Sequence, residues 1–164
     1  MATIKTSYGT SNQAITITLD SLAPDTTRSS AAIDNTTNLY LDALVQVTVK
    51  TGTSAIPDSD VVNIYAYGST DGGTTYPEGT GVDAVITLTA PTQLHLIGQM
   101  NCVANTTTYK SEPFSVAAAF NGVLPAFWGI AVQYQTYPAG GGGNLDATAG
   151  NFKASFQGIK KSIV

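Results

Sequence analysis

The sequence predicts an all-β protein, namely an antiparallel β-sandwich that is jelly-roll-like, with about eight or nine strands in a single domain over residues 1–164. Apolar residues alternate with polar ones in short runs, which is the period of a half-buried strand. Turn-forming residues separate the runs at intervals close to those of sandwiches and barrels. Only 11% of the residues are charged, which disfavours helical bundles. An immunoglobulin-like sandwich is the second choice, although paired cysteines are missing.

The strongest strand signal lies at residues 39–50, where Val45, Val47 and Val49 share one face. Residues 109–120 are predicted to form a strand that can include a short helical turn. Loops are expected where Ser, Thr, Asp, Asn, Gly and Pro cluster. The remaining predicted strands are 14–19, 61–67, 82–88, 94–102, 127–136 and 152–159, and the predicted loops are 20–38, 51–60 and 137–150.

Residues 69–76, with the sequence STDGGTTY, predict a tight hairpin. Asp71 can accept hydrogen bonds from backbone N–H groups that follow it, and Gly72 and Gly73 can supply positive φ angles. The spacing resembles the Asp-box of sialidase-like propeller blades. Propellers carry several copies and this chain carries one, so we expect a structural role.

Composition restricts the partners and the chemistry of the chain. The formal net charge is −4, so we expect no binding to nucleic acid. No apolar run is long enough for a membrane span, so we expect a soluble chain without membrane contact. One histidine, His95, and one cysteine, Cys102, leave no intrachain disulfide and no His/Cys zinc site. We expect His95 to be partly exposed and Cys102 to be a small buried residue.

Carboxylates provide the remaining candidates for chemistry. Glu78 and Asp83 form the pair that a glycosidase would need, and Asp58 with Asp60 could contribute to a calcium site. Such residues more often cap turns or face solvent in loops. We therefore expect a protein that is not an enzyme and has no catalytic residue, cofactor or metal.

Aromatic side chains are the other group of interest. Tyrosine and tryptophan are often buried in a sandwich core, but exposed ones suit sugar stacking or protein interfaces. The candidates for an interface are Tyr65, Tyr67, Tyr134 and Tyr137.

Several motifs in the second part of the chain resemble a known family. They are a strand ending in Tyr-x-Tyr-Gly-Ser (65–69), the Asp-Gly-Gly turn (71–73), and the stretch FNGVLPAFWGIAV (120–132). Together with residues 85–101 and 144–159, these motifs are similar to small virion structural proteins of tailed bacteriophages. The resemblance covers roughly the last hundred residues.

The resemblance implies a capsid decoration (cement) protein, made in the host cytoplasm and located on the exterior of the virion. Such proteins commonly form trimers that bridge neighbouring subunits of the major capsid protein. The candidate contact regions are an extended N-terminal arm (residues 1–11) and the loop 20–38, because both are polar and adaptable. The candidate contact residues are Ala2, Thr3, Ile4, Lys5, Asp25, Arg28 and Asp34. The alternatives are a tail or fibre component, a carbohydrate-binding virion module, and a small hydrolase.

Overall fold

The fold is known from a computed structural model, which describes residues 3–54, 60–137, 139 and 141–163. One of its two antiparallel sheets, sheet 1, has six strands. They are β1 (Ile4–Tyr8), β2 (Gln13–Ala14), β5 (Asp42–Lys50), β9 (Thr108–Lys110), β10 (Phe114–Ser115) and β12 (Lys153–Ile163). The strand order is β1–β12–β5–β10, with β2 also paired to β12 and β9 to β5. Strands β5 and β12 therefore form the centre of this sheet.

Sheet 2 also has six strands within the described residues. They are β3 (Thr26–Ser29), β4 (Ile33–Asp34), β6 (Asp60–Ser69), β7 (Ala84–Ile86), β8 (His95–Cys102) and β11 (Phe127–Gln135). The strand order is β7–β3–β11–β6–β8, with β4 also paired to β11. Two short 3₁₀ helices, Ala117–Phe120 and Ala149–Asn151, complete the regular structure of the described residues.

One apolar core joins the two sheets. Val45, Val47 and Val49 of β5 are fully buried, as the alternation predicts. They belong to the same buried cluster as side chains of sheet 2, including Ile64 and Trp128. The prediction of an all-β protein with antiparallel pairing is therefore confirmed.

The number and position of the strands need correction. The described residues form twelve strands rather than eight or nine, because several are only two to four residues long. The expected loop 20–38 contains β3 and β4, which pair with β11. Of the expected strand 14–19, only Ala14 lies in a strand (β2), although Ile15 and Leu19 still belong to the buried core. Short polar strands such as β3 (sequence TTRS) lack an apolar period, so only their partners reveal them.

The N-terminal segment forms an edge strand. Residues Ile4–Tyr8 pair with the end of β12, from Ile159 to Ile163. Strand β12 pairs with β5 only as far as Ile159, so the last residues of β12 and β1 form a two-stranded ribbon. We call the pair of segments 4–8 and 159–163 the ribbon. Its strands extend sheet 1 beyond the end of β5.

Residues 70–94 connect β6 to β8 and contain β7, the edge strand of sheet 2; we call them the cover segment. Side chains of this segment pack on the outward face of sheet 2, where Tyr76 lies edge-to-face on Tyr67. A second buried cluster forms beneath them, with Tyr67 and Ala131 from the sheet and Ile86 and Leu94 from the segment. Gly72 and Gly73 have positive φ angles, as predicted for the turn at 71–73.

Candidate interaction site

The outward face of sheet 1 carries lysines in register. Because Val47 and Val49 point into the core, Thr48 between them faces outward. Lys153 pairs with Thr48 on one side and Lys110 pairs with it on the other, so both lysines share this outward face. The face continues into the ribbon, where Lys161 lies opposite Thr6.

Apolar side chains stand beside these lysines. Ile4 and Ile163 are directly opposite each other in the ribbon, and Tyr8 lies opposite Ile159. Ile4 is 65% exposed, Tyr8 62% and Ile163 76%. Because Ile159 pairs with Asp42 on the outward side of β5, these residues extend the same face. We call the outward residues of sheet 1 and of the ribbon the open face.

A shallow depression lies on the open face. It has a volume of about 330 Å³, and its lining includes Leu44, Gln46, Lys110, Pro113 and Gln157. The lining combines apolar carbon, amide groups and one cation. A depression of this composition can receive a side chain of another protein.

Positive charge is concentrated on this half of the molecule. The six lysines of the sequence all lie in described strands of sheet 1. Asp42 is the one carboxylate in those strands, and it accepts hydrogen bonds from the N–H groups of Ala43 and Ala117. Among the described residues, the ion pairs join Arg28 to Asp83 and Lys50 to Asp146. Thus five lysines have no ion-pair partner within the described part of the chain.

The structure places Ile4 and Lys5, two of the predicted N-terminal contact residues, on the ribbon, and Thr3 directly precedes it. Thr3, Ile4 and Lys5 are exposed, whereas Ala2 lies outside the described residues. Lys5 projects from the ribbon surface opposite to that of Ile4, because neighbouring residues of a strand face opposite sides.

The other three predicted contact residues make hydrogen bonds within the chain. Arg28 Nε donates to Asp83 Oδ1 at 2.5 Å. Asp25 Oδ1 accepts from the N–H of Thr136 at 3.0 Å. Asp34 Oδ1 accepts from the N–H and hydroxyl of Thr36, which lowers the Asp34 pKa. Asp25 and Asp34 are exposed, whereas Arg28 is partly buried.

Two of the four candidate interface tyrosines lie inside the protein. Tyr67 is 1% exposed and donates to the carbonyl of Ser30 at 2.6 Å, and burial raises its pKa to about 12. Tyr134 is fully buried and donates to Asp60 at 2.7 Å. Neither side chain is available at the surface of this chain. Tyr65 is half-buried against Gln133, and Tyr137 is exposed.

The acidic residues of the cover segment accept hydrogen bonds that stabilise its backbone. Asp71 accepts hydrogen bonds from the N–H groups of Thr74 and Thr75 at 3.0 and 3.1 Å. The hydroxyl of Ser69 also donates to Asp71, and these hydrogen bonds lower its pKa. The two N–H donors lie three and four residues after Asp71, so their hydrogen bonds close the turn.

Glu78 links two parts of the cover segment to each other, and Asp83 links the segment to other parts of the chain. Glu78 accepts hydrogen bonds from the hydroxyls of Thr89 and Thr92 and from the N–H of Gln93. Asp83 accepts from Arg28 and from both the N–H and hydroxyl of Thr18. Both carboxylates are thus engaged in structural hydrogen bonds.

The remaining candidates for chemistry are placed as follows. Asp58 lies outside the described residues, while Asp60 is buried and bonded to Tyr134 and to the N–H of Tyr137. His95 is exposed and stacks edge-to-face on Phe120. Cys102 is fully buried as predicted, and burial, followed by the charge of Asp60, raises its pKa to about 12. Within the described residues, no three His, Cys, Asp or Glu side chains group as a metal site would require.

Sequence reasoning missed the lysines of the open face. The last strand was expected to end at Ile159, so Lys161 and Ile163 were not assigned to a surface. Three consecutive polar residues, 160–162, interrupt the apolar alternation there, and the pairing with β1 reveals the strand. Lys110 and Lys153 are far apart in sequence, and only their shared neighbour Thr48 reveals their proximity.

Comparison of the chain with known protein families, with curated proteins and with solved structures finds no match. Within the described residues, there is no helix of the length and apolar character that a membrane crossing requires.

Proposed function

We propose that this chain is a decoration protein of a tailed-bacteriophage capsid, which binds the outside of the assembled head. It stabilises the head by bridging subunits of the major capsid protein, and it acts as a homotrimer with a jelly-roll-like fold. The motifs of residues 65–73 and 120–132 support this proposal through their resemblance to small virion proteins.

The open face is the observation that carries the proposal. Exposed apolar side chains lie together there, with Ile4 opposite Ile163 and Tyr8 at the base of the ribbon. Exposed apolar groups that are contiguous and surrounded by polar residues are typical of surfaces that bind another protein. The open face therefore suits a protein whose role is to contact neighbours.

Such a protein would stabilise the capsid by mass action. A protein that binds the assembled lattice more tightly than its separated subunits shifts the equilibrium toward the lattice. Three identical binding surfaces in a trimer would act together, since the second and third contacts form within an already bound complex.

Cryo-electron microscopy of the phage particle that contains this chain tests the proposal. We expect density for the two-sheet fold on the outer surface of the head, above contacts between capsid subunits. Density confined to the tail or fibres would overturn it. A glycan array would then examine the carbohydrate-binding alternative.

Truncation provides a second test of the same proposal. Removal of residues 2–11 deletes β1 and with it half of the ribbon. We expect the truncated chain to keep its oligomeric state and its β-sheet circular dichroism but to lose binding to empty heads. Undiminished binding of a folded truncation would count against the proposed contact region.

A further inference from the structure

We infer that the open face of sheet 1 docks on an acidic protein surface, with its lysines directing the approach and its apolar side chains forming the contact. The inference rests on the proposed function, because it names the surface that faces the capsid and the chemistry of the capsid site. That site would present carboxylates around an apolar patch.

Charge placement supports an acidic partner. Lys110, Lys153 and Lys161 point to the same side of sheet 1 and have no ion-pair partner within the described residues. The chain as a whole has a formal net charge of −4, so this concentration of cations runs against its overall charge. A local positive surface on an acidic protein orients it toward a negative partner and repels incorrect approaches.

The apolar residues indicate that the partner is a protein. Ile4 and Ile163 project from the end of the ribbon, next to the position of Lys161. Leu44 and Pro113 line the adjoining depression. A nucleic-acid duplex would offer mainly phosphate to this face and would leave the isoleucines without an apolar contact. A protein surface can satisfy both the lysines and the isoleucines.

A second copy of the chain fits this face less well. Strand β1 is an edge strand, and pairing it with β1 of another copy would bring two ribbons together. Each ribbon carries Lys5, Lys160 and Lys161 and has no carboxylate among residues 4–8 and 159–163. The like charges would repel, and lysine on an edge strand generally prevents this kind of association.

Cross-linking in purified particles tests the inference directly. A water-soluble carbodiimide joins a lysine amine to a carboxylate that contacts it, and mass spectrometry identifies the linked peptides. We expect links from Lys110, Lys153 or Lys161 to aspartate or glutamate of a different protein. Links only between copies of this chain, or no links from these three lysines, would overturn the inference.

Variants that share a net charge provide the second measurement. Lys153→Gln with Lys161→Gln removes two cations from the open face. Thr87→Glu with Asn101→Asp is the control, because it makes the same charge change at exposed positions outside sheet 1. We expect the lysine pair to weaken binding to heads stripped of this protein by about tenfold, with a smaller dependence on salt, and the control to bind like the wild type.

The apolar contribution is measured with Ile4→Ser and Ile163→Ser together, for which we again expect about tenfold weaker binding.

If the wild type binds heads and all these variants bind equally well, the inference fails while the proposed function stands. If the wild type does not bind heads, the proposed function fails. Cross-links from the open face to an acidic tail protein would then still support the inference. Binding instead to anionic vesicles or duplex DNA, lost in the lysine pair, would overturn it.

Discussion

The two sheets differ in what covers their outward faces. On sheet 2, the cover segment (residues 70–94) buries Tyr67 and Ala131 in a second apolar cluster. On sheet 1, the open face leaves Ile4, Tyr8 and Ile163 exposed. Both sheets share the same core, so the difference comes from one long connection between β6 and β8. Within the described residues, this difference leaves large apolar side chains exposed on the open face.

Carboxylates explain why the cover segment keeps its position. Asp71, Glu78 and Asp83 each accept several hydrogen bonds from groups within the segment or near it. The lysines of sheet 1, in contrast, mostly lack carboxylate neighbours within the described residues. Acidic groups thus serve internal structure on one side of the molecule, while basic groups face outward on the other.

The largest loss of stability is expected from Tyr67→Ala, beneath the cover segment of sheet 2. The change removes a fully enclosed ring and its hydrogen bond to Ser30, so we expect a loss of about 3–5 kcal/mol in the free energy of unfolding. Chemical denaturation measures this loss. Tyr8→Ala, on the open face, is the matched control and should change the stability by less than about 0.5 kcal/mol. Equal effects of the two substitutions would show that sheet 2 is not covered as described.

A smaller loss is expected from Gly129→Ala. The added methyl group would meet the ring of Tyr67, which is enclosed and cannot move aside. We expect destabilisation of about 1–3 kcal/mol, as is usual for overpacking. Gly150→Ala is the control, because a methyl group there meets no atom within 4 Å. Thermal unfolding of the two variants should separate them by several degrees.

As the pH falls, we expect the cover segment to lose its packing at a higher pH than sheet 1 does. Burial raises the pKa of Glu78, but hydrogen bonds from Thr89, Thr92 and Gln93 outweigh burial and lower the pKa from 4.5 to about 2. The stabilisation by Glu78 is therefore complete above pH 4.5 and is lost as the pH falls toward 2. Amide NMR signals of Thr89 and Gln93 should shift over this range.

The NMR signal of Val47, in sheet 1, is the internal reference for this titration. In Glu78→Gln, the shifts of Thr89 and Gln93 should lose most of their pH dependence. If the pH dependence of these shifts is unchanged in this variant, then other carboxylates are responsible for the response of the cover segment to acid.

The smallest effect on stability is expected from Ile4→Ser with Ile163→Ser. Both side chains are largely exposed, so the free energy of unfolding should change by less than about 0.5 kcal/mol. A much larger loss in denaturant unfolding would mean that the open face contributes to folding. It would then be a poor candidate for a docking surface.

Sequence reasoning succeeded where apolar alternation was long. Strands β5 and β11 were predicted within a few residues of their observed bounds, and their inward residues Val45 and Ile130 are fully buried. The turn at 71–73 was also correct, because Asp and Gly determine it locally. These elements depend on neighbours in sequence.

Prediction failed where a segment takes its structure from distant partners. Strands β3 and β4 lie in polar sequence that suggests a loop, and β11 provides their hydrogen-bond partners. Tyr67 and Tyr134 looked like surface candidates, but the cover segment and the core enclose them. The ribbon was missed because β1 and the end of β12 are more than 150 residues apart.

The sequence by itself determined the β-rich class, the longest strands, their inward faces and the local turn, since each follows from residue periodicity or from backbone preference. The tertiary structure decided which face of each sheet is covered and brought separate lysines and isoleucines onto one surface. Strand register produces that grouping, and register depends on pairing between distant segments, which one-dimensional periodicity does not encode.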